Sequence, residues 1–101
     1  IEAVVENTGI KKSLFAELEK LLNDGAVIAS NTSSLSITAL AAGMQQPGRF
    51  AGLHFFNPVP LMKVVEVIPG LATQAAVCQR LSAFVKAMGH QSVMAQDTPG
   101  F

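Results

Sequence analysis

Little charge, one cysteine and no glycine-rich turn set the first limits on this sequence. Only 14% of its 101 residues are Asp, Glu, Lys or Arg, and seven acids cancel seven bases. The two signs are interspersed, so no basic stripe exists to neutralise a run of phosphates, and nucleic-acid binding is set aside. Cys78 is the single cysteine. It cannot form an internal disulfide, and a reducing, cytoplasmic setting is the expectation. No Cys/His cluster has metal-ligand spacing, so no metal site is expected. There is no G-x-S-x-G, and only two histidines, His54 and His90, could serve a serine nucleophile. The eight glycines are scattered and never form G-x-G-x-x-G, so a phosphate-cradling turn is missing. The longest apolar stretches are strand-sized, far short of the roughly 20 residues that span a bilayer. The first residues lack the charged-then-apolar pattern of a secretory signal.

What is present is apolar. Half of the residues are hydrophobic, a high share for a free-standing domain of this size, where surface dominates. The chain opens on an apolar strand pattern without an initiator Met, and reads as an excerpt meant to be covered by more protein.

Strand and helix patterns alternate. Residues 1–6 (IEAVVE) read as a strand. Residues 11–22 place Leu14, Leu18, Leu21 and Leu22 on one helical face, and Gly25 suits a left-handed cap after it. Residues 26–30 (AVIAS) are a strand apolar almost throughout, as strands covered on both faces are. The hydroxyls of 31–34 (NTSS) suit helix N-capping, and Ile37, Leu40, Ala41 and Met44 fall in helical register. Residues 49–56 (RFAGLHFF) and 63–68 (KVVEVI) are strands separated by Pro58 and Pro60. Thr73 is placed to cap a helix whose Val77, Leu81, Phe84, Val85 and Met88 share a face and which Gly89 ends. Residues 91–96 form a last strand. The alternation predicts an α/β fold of the Rossmann-like, doubly wound kind, with mostly parallel strands and helices packed on the sheet.

In such sheets functional groups collect beyond the carboxyl ends of the strands. Three segments qualify: Glu6 to Lys11, Asn31 to Ser34, and His54 to Asn57. His54 is either a half-buried strand histidine bonded to backbone or a proton carrier. Glu66, twelve residues on, sits inside an apolar strand, where a carboxylate is costly unless paired. If the two strands are neighbours, Glu66 reaches one imidazole nitrogen and leaves the other for the cleft. Ser33 and Ser34 are helix caps or donors to a substrate oxygen. Asn31 and Glu6 have the same two readings. Lys11 opens a helix, where a cation opposes the macrodipole; it is either simply solvated or answers some outside demand for positive charge.

The strings VENTGIKKSLF, SNTSSLSIT, FAGLHFFNPVPLMKVVEV and DTPGF resemble the NAD-dependent 3-hydroxyacyl-CoA dehydrogenase family, in order and across essentially the whole chain. The resemblance implies that residues 1–101 are the C-terminal half of a dinucleotide-binding domain. The glycine-rich first half and the helical C-terminal domain are absent from it. It implies NAD as cofactor and an acyl-CoA as substrate, with interconversion of (3S)-3-hydroxyacyl-CoA and 3-ketoacyl-CoA in fatty-acid β-oxidation or related metabolism. His54 matches the catalytic histidine, Glu66 the carboxylate that orients it, and Ser33 and Asn57 substrate-binding positions. Glu6, Lys11, Asn31 and Ser33 match positions lining the nicotinamide end of the cofactor. The isolated chain is expected to be inactive and to self-associate, as a dimer or by strand exchange, through the unpaired edge of residues 1–6. A non-catalytic, crystallin-like relative is the alternative.

Overall fold

The computed structural model describes residues 1–3, 6–23, 25–32, 35–56, 58–59 and 61–97. The elements run α1 (Thr8–Leu21), β1 (Ile28–Ser30), α2 (Ile37–Ala41), a 3₁₀ turn (Pro47–Arg49), β2 (Phe50–Phe55), β3 (Val64–Pro69), α3 (Ala75–Ala87) and β4 (Gln91–Met94). The strands form one sheet in the order β1-β2-β3-β4. β1 and β2 are parallel, as are β3 and β4, while β2 and β3 are antiparallel. In the connection between that antiparallel pair, the amides of Leu61 and Met62 both donate to the Pro58 carbonyl. The sheet is therefore mostly parallel, as expected, with one reversal where the two prolines stop the chain from continuing.

Alternation along the strands sends side chains to two faces, and each face is covered. Phe15 of α1, Ile37, Leu40 and Ala41 of α2, Ile28, Phe50 and Ile68 form one buried cluster. Ala29, Ala51, Leu53, Val65 and Val67 pack with Val77, Leu81 and Val85 of α3 in the other. Gly52 sets the approach of α2 to the sheet. A Cβ there would meet Ile37 Cδ1 at 2.9 Å and Ile68 Cβ at 3.0 Å, so only a glycine lets Ile37 rest on the strand.

Several local expectations are corrected. The strand expected over 1–6 is, among the described residues, a single parallel bridge between Glu2 and Ser30. The helix expected from residue 11 starts at Thr8, because Asn7 caps it by accepting from the Ile10 amide. Its buried residues are Lys11 and Phe15; of the leucines, Leu18 packs at the edge of the same cluster and Leu14 is half-buried, while Leu21 and Leu22 are exposed, so the buried face is shifted from the leucine stripe. It ends on an extended Leu22, and Gly89 is the one described glycine with positive φ, so Gly25 makes no left-handed cap. Ser36 caps α2 by accepting from the Ala39 amide; of the 31–34 hydroxyls, Thr32 accepts from the Leu35 amide, while Ser33 and Ser34 lie outside the described residues. Thr73 does not cap α3. Its hydroxyl donates to the Phe50 carbonyl and accepts from the Gly70 amide, tying the end of β3 to the start of β2. On α3, Phe84 and Met88 are exposed, so the buried stripe is narrower than predicted.

Candidate active site

The site grows from the sheet register. His54 pairs with Glu66 across the antiparallel ladder, so both side chains leave the same face, the one that α1 and α2 cover. They emerge beyond Gly52 and Ile68, where α2 has already passed. His54 Nδ1 lies 3.0 Å from Glu66 Oε1. The two side chains are 17% and 18% exposed, which shelters the contact and leaves the imidazole accessible. With the carboxylate as acceptor, the neutral ring carries its proton on Nδ1 and its lone pair on Nε2. Phe56 stacks edge-on against the imidazole, ring centroids 4.8 Å apart, and limits its swing. The pairing anticipated between His54 and Glu66 is present.

The neighbouring strand ends are joined to this one by hydrogen bonds. The Asn31 side-chain oxygen accepts from the Phe55 amide at 2.9 Å, which fixes the exit of β1 against the end of β2. The Thr32 hydroxyl donates to Glu6 Oε2 at 2.5 Å and accepts from the Leu35 amide, so the segment after residue 5 is bound to the segment after β1. The three strand-end segments lie side by side, as the alternating pattern predicted. Ser33 and Asn57, both expected at the site, lie outside the described residues.

Lys11 is not solvated. Its side chain is fully buried, with Nζ on Glu2 Oε1 and 3.4 Å from Glu6 Oε1. Glu2 is itself buried and accepts from the Ser30 hydroxyl at 2.5 Å. Two carboxylates thus satisfy one ammonium, the arrangement that makes a buried charge tolerable. This demand for positive charge overrides the unfavourable helix start. Glu2 was missed in the sequence, although the signal was there: it stands between Ile1 and Ala3 in an apolar segment, the same anomaly that flagged Glu66.

Asp97 was also missed as a functional or structural group. Its carboxylate accepts from the amides of Ile37 and Thr38, at 2.7 and 2.8 Å, and from the Ser36 hydroxyl. Partial burial alone would raise this carboxyl. The hydrogen bonds from Thr38, Ile37 and Ser36 outweigh it and hold the group below the ordinary aspartate range. Asp97 thereby anchors the chain after β4 to the start of α2. A groove of about 650 Å³ runs along α3, lined by Cys78, Lys86 and Met94 among others. It lies on the opposite face of the sheet from His54 and holds none of the described site residues. Among the described residues no group of His, Cys, Asp or Glu could hold a metal, and no helix is long and apolar enough to cross a membrane.

Comparison with known proteins bears on this geometry. The family model described as 3-hydroxyacyl-CoA dehydrogenase, NAD binding domain, matches residues 1–98. The chain is 50% identical over all 101 residues to 3-hydroxyadipyl-CoA dehydrogenase of Escherichia coli and covers 21% of it. It is 50% identical to the mitochondrial hydroxyacyl-coenzyme A dehydrogenase of Sus scrofa and covers 32% of that protein. The crystal structure of 3-hydroxybutyryl-CoA dehydrogenase from E. coli superposes with a TM-score of 0.95 at 49% identity. It matches 99% of this chain, which covers 21% of that one. The chain thus spans a third or less of the length of these relatives.

Proposed function

Because the chain belongs to the 3-hydroxyacyl-CoA dehydrogenase NAD-binding-domain family, we propose that it carries the proton-transfer half of such an enzyme's active site. The reaction is interconversion of (3S)-3-hydroxyacyl-CoA and 3-ketoacyl-CoA, in fatty-acid β-oxidation or related acyl-CoA metabolism. The observation that carries the reading is the in-register His54–Glu66 contact at 3.0 Å, on the strand end facing the cleft. His54 Nε2 accepts the proton of the substrate's 3-hydroxyl, and Glu66 holds the ring in position and offsets the charge it gains. In the reverse direction the imidazolium returns that proton to the 3-keto oxygen. NAD, when bound, supplies the hydride acceptor.

The described residues fit one end of such a cofactor. Glu6 has both carboxylate oxygens held by Lys11 and Thr32, yet its side chain stays 42% exposed at the strand-end cleft. Asn31, beside it, is fixed by the Phe55 amide. We assign Glu6, Asn31 and Ser33 to the nicotinamide end, with Lys11 behind them, and Ser33 and Asn57 to the substrate oxygen. The sequence carries no G-x-G-x-x-G turn for the pyrophosphate. The chain is accordingly proposed as the second half of a Rossmann-type domain. In this reading the phosphate-binding turn and the helical domain that completes the acyl-CoA site come from other parts of the parent protein. The lone Cys78 supports a cytoplasmic, reducing setting.

The test is NADH oxidation with acetoacetyl-CoA by the full-length parent, wild type against His54→Gln. A loss of roughly 10²–10⁴ in kcat is expected, the usual span of general acid–base catalysis. Equal rates would make His54 a packing residue, and an inactive wild type would favour a non-catalytic relative. The isolated chain is expected to bind NADH weakly and to self-associate through the segment around Glu2, whose pairing among the described residues is a single bridge. A monodisperse monomer by light scattering at micromolar concentration would count against the association.

A further inference from the structure

Two carboxylates hold α2, one at each end. Glu19 of α1 accepts from the amides of Gln45 and Gln46, beyond the helix's last turn, at 2.9 and 3.0 Å. Asp97 holds the start: one oxygen accepts from the Ile37 amide, the other from the Thr38 amide and the Ser36 hydroxyl. Asp97 is itself tied to the strand that carries Glu66. In the β3–β4 ladder Glu66 lies opposite Val93 and Val67 opposite Met94. The Ala95 amide extends that ladder by donating to the Val67 carbonyl at 3.0 Å, and two residues on Asp97 reaches α2. The segment that leads from β1 into α2 is therefore held at both ends. At its first end Asn31 accepts from the Phe55 amide, next to His54. At its second end Ser36 and Ile37 are bound to Asp97. Ser33 stands in the sequence between them. Holding both ends of a short segment narrows the conformations open to what lies between. A carboxylate suits that task, because both oxygens accept and bonds to an ionised acceptor are roughly twice as strong as neutral ones.

We propose that Asp97 is a positioning residue for the reaction. It references residues 31–36 to the strand that carries Glu66, so that the group offered to the substrate oxygen and the group that moves its proton keep one spacing. The inference rests on the proposed function, which assigns Ser33 to the substrate oxygen and His54 to the proton. Asp97 acts through Ser36 and Ile37 on one side and through Ala95 and Val67 on the other. Glu19 supplies the contrast. It grips the same helix with the same kind of bond, at the end that leads away from residues 31–36 toward the 3₁₀ turn. If both carboxylates were only anchors, losing either would cost stability and nothing else. A positioning role makes Asp97 alone count in turnover.

The test uses the full-length parent, with kcat and KM for NADH oxidation by acetoacetyl-CoA and thermal denaturation of each variant. Asp97→Asn is expected to lower kcat about fivefold, well short of the roughly hundredfold that a 1 Å misplacement can cost, with KM for NADH unchanged. Glu19→Gln, which weakens the grip on the other end of α2 and a contact with Arg49, lowers the melting temperature at least as far and leaves kcat unchanged. Ser33→Ala lowers kcat by about tenfold or more, since it removes a hydrogen bond to the reacting oxygen. Adding Asp97→Asn to Ser33→Ala lowers kcat no further, because the group that Asp97 positions is gone. Should Asp97→Asn fail to fold, Ser36→Ala, which removes one of the donors to Asp97, takes its place in the same cycle. A wild-type kcat in Asp97→Asn with only the melting temperature lowered would overturn the proposal and leave Asp97 a structural anchor. So would equal losses of kcat in Asp97→Asn and Glu19→Gln, or independent, additive losses in the double variant. A wild-type rate in Ser33→Ala would take the substrate oxygen away from Ser33 and overturn the proposal with that assignment. An inactive wild type would overturn the reading of the cleft itself, and the role of Asp97 with it.

Discussion

Glu2 and Glu66 face the same physical difficulty, a carboxylate in an apolar strand segment, and the fold resolves it in two ways. Glu66 is paired sideways, with a histidine on the adjacent strand, at a place where α2 no longer covers the sheet. Glu2 is paired upward, with a lysine from the helix that covers the sheet, and both are closed off from water. The first solution leaves a proton carrier accessible and costs little to disturb structurally. The second locks a helix to a strand end and exposes nothing except, through Lys11, the carboxylate of Glu6. The two pairs differ in burial far more than in chemistry, and burial divides their effects between stability and activity.

The comparison breaks most sharply at Lys11. Lys11→Met strands the buried carboxylate of Glu2, and removing one partner of a buried ion pair costs about 3–5 kcal/mol. The urea midpoint of the full-length protein should fall accordingly. Glu66→Gln should lower stability by about 1 kcal/mol or less while reducing kcat at least about tenfold, part of the general acid–base range. Comparable stability losses in the two variants would show that the difference in burial does not matter. Gly52→Ala probes the boundary where α2 stops covering the sheet. The added methyl meets Ile37 and Ile68 at about 3 Å, and overpacking of this kind costs about 1–3 kcal/mol, readable as a lowered denaturation midpoint.

The smallest effect is expected at Asp97, and it depends on pH. Its folded-state pKa lies below the ordinary value, so the carboxylate's contribution to stability is fully present above the unfolded-state pKa. It is lost as the pH falls through the lower folded-state value. Asp97→Asn should cost about 1 kcal/mol at pH 7, the usual worth of an anion or cap at a helix start. The gap between wild type and variant should narrow as the pH drops below about 4. Urea midpoints at pH 7, 5 and 3 measure it; a gap that widens on acidification would contradict the assignment.

Much of the site was legible because its partners are close in the chain or on strands joined by a short turn. The His54–Glu66 pair follows from two strand patterns separated by prolines, since a turn of that length brings the strands side by side. The adjacency of Asn31 and Phe55 follows from the alternation of strand and helix. The sequence leaves Lys11 between solvation and an outside demand for positive charge, because a charged residue at a helix start carries no local sign of what it meets across the sheet. Asp97 was passed over because its partners, Ile37 and Thr38, are 60 and 59 residues away, and no spacing rule spans that distance.

What the sequence by itself determined is therefore local. Hydrophobic period set the strands and the long helices, glycine and proline set several of their ends, and a glutamate in an apolar run announced a partner. The tertiary structure alone decided which face α1 buries, that Glu2 and Glu6 share Lys11, and that the chain beyond β4 returns to hold α2. Those choices depend on where separate elements meet in space, and the energy of burying a charge is defined only once the groups around it are in place.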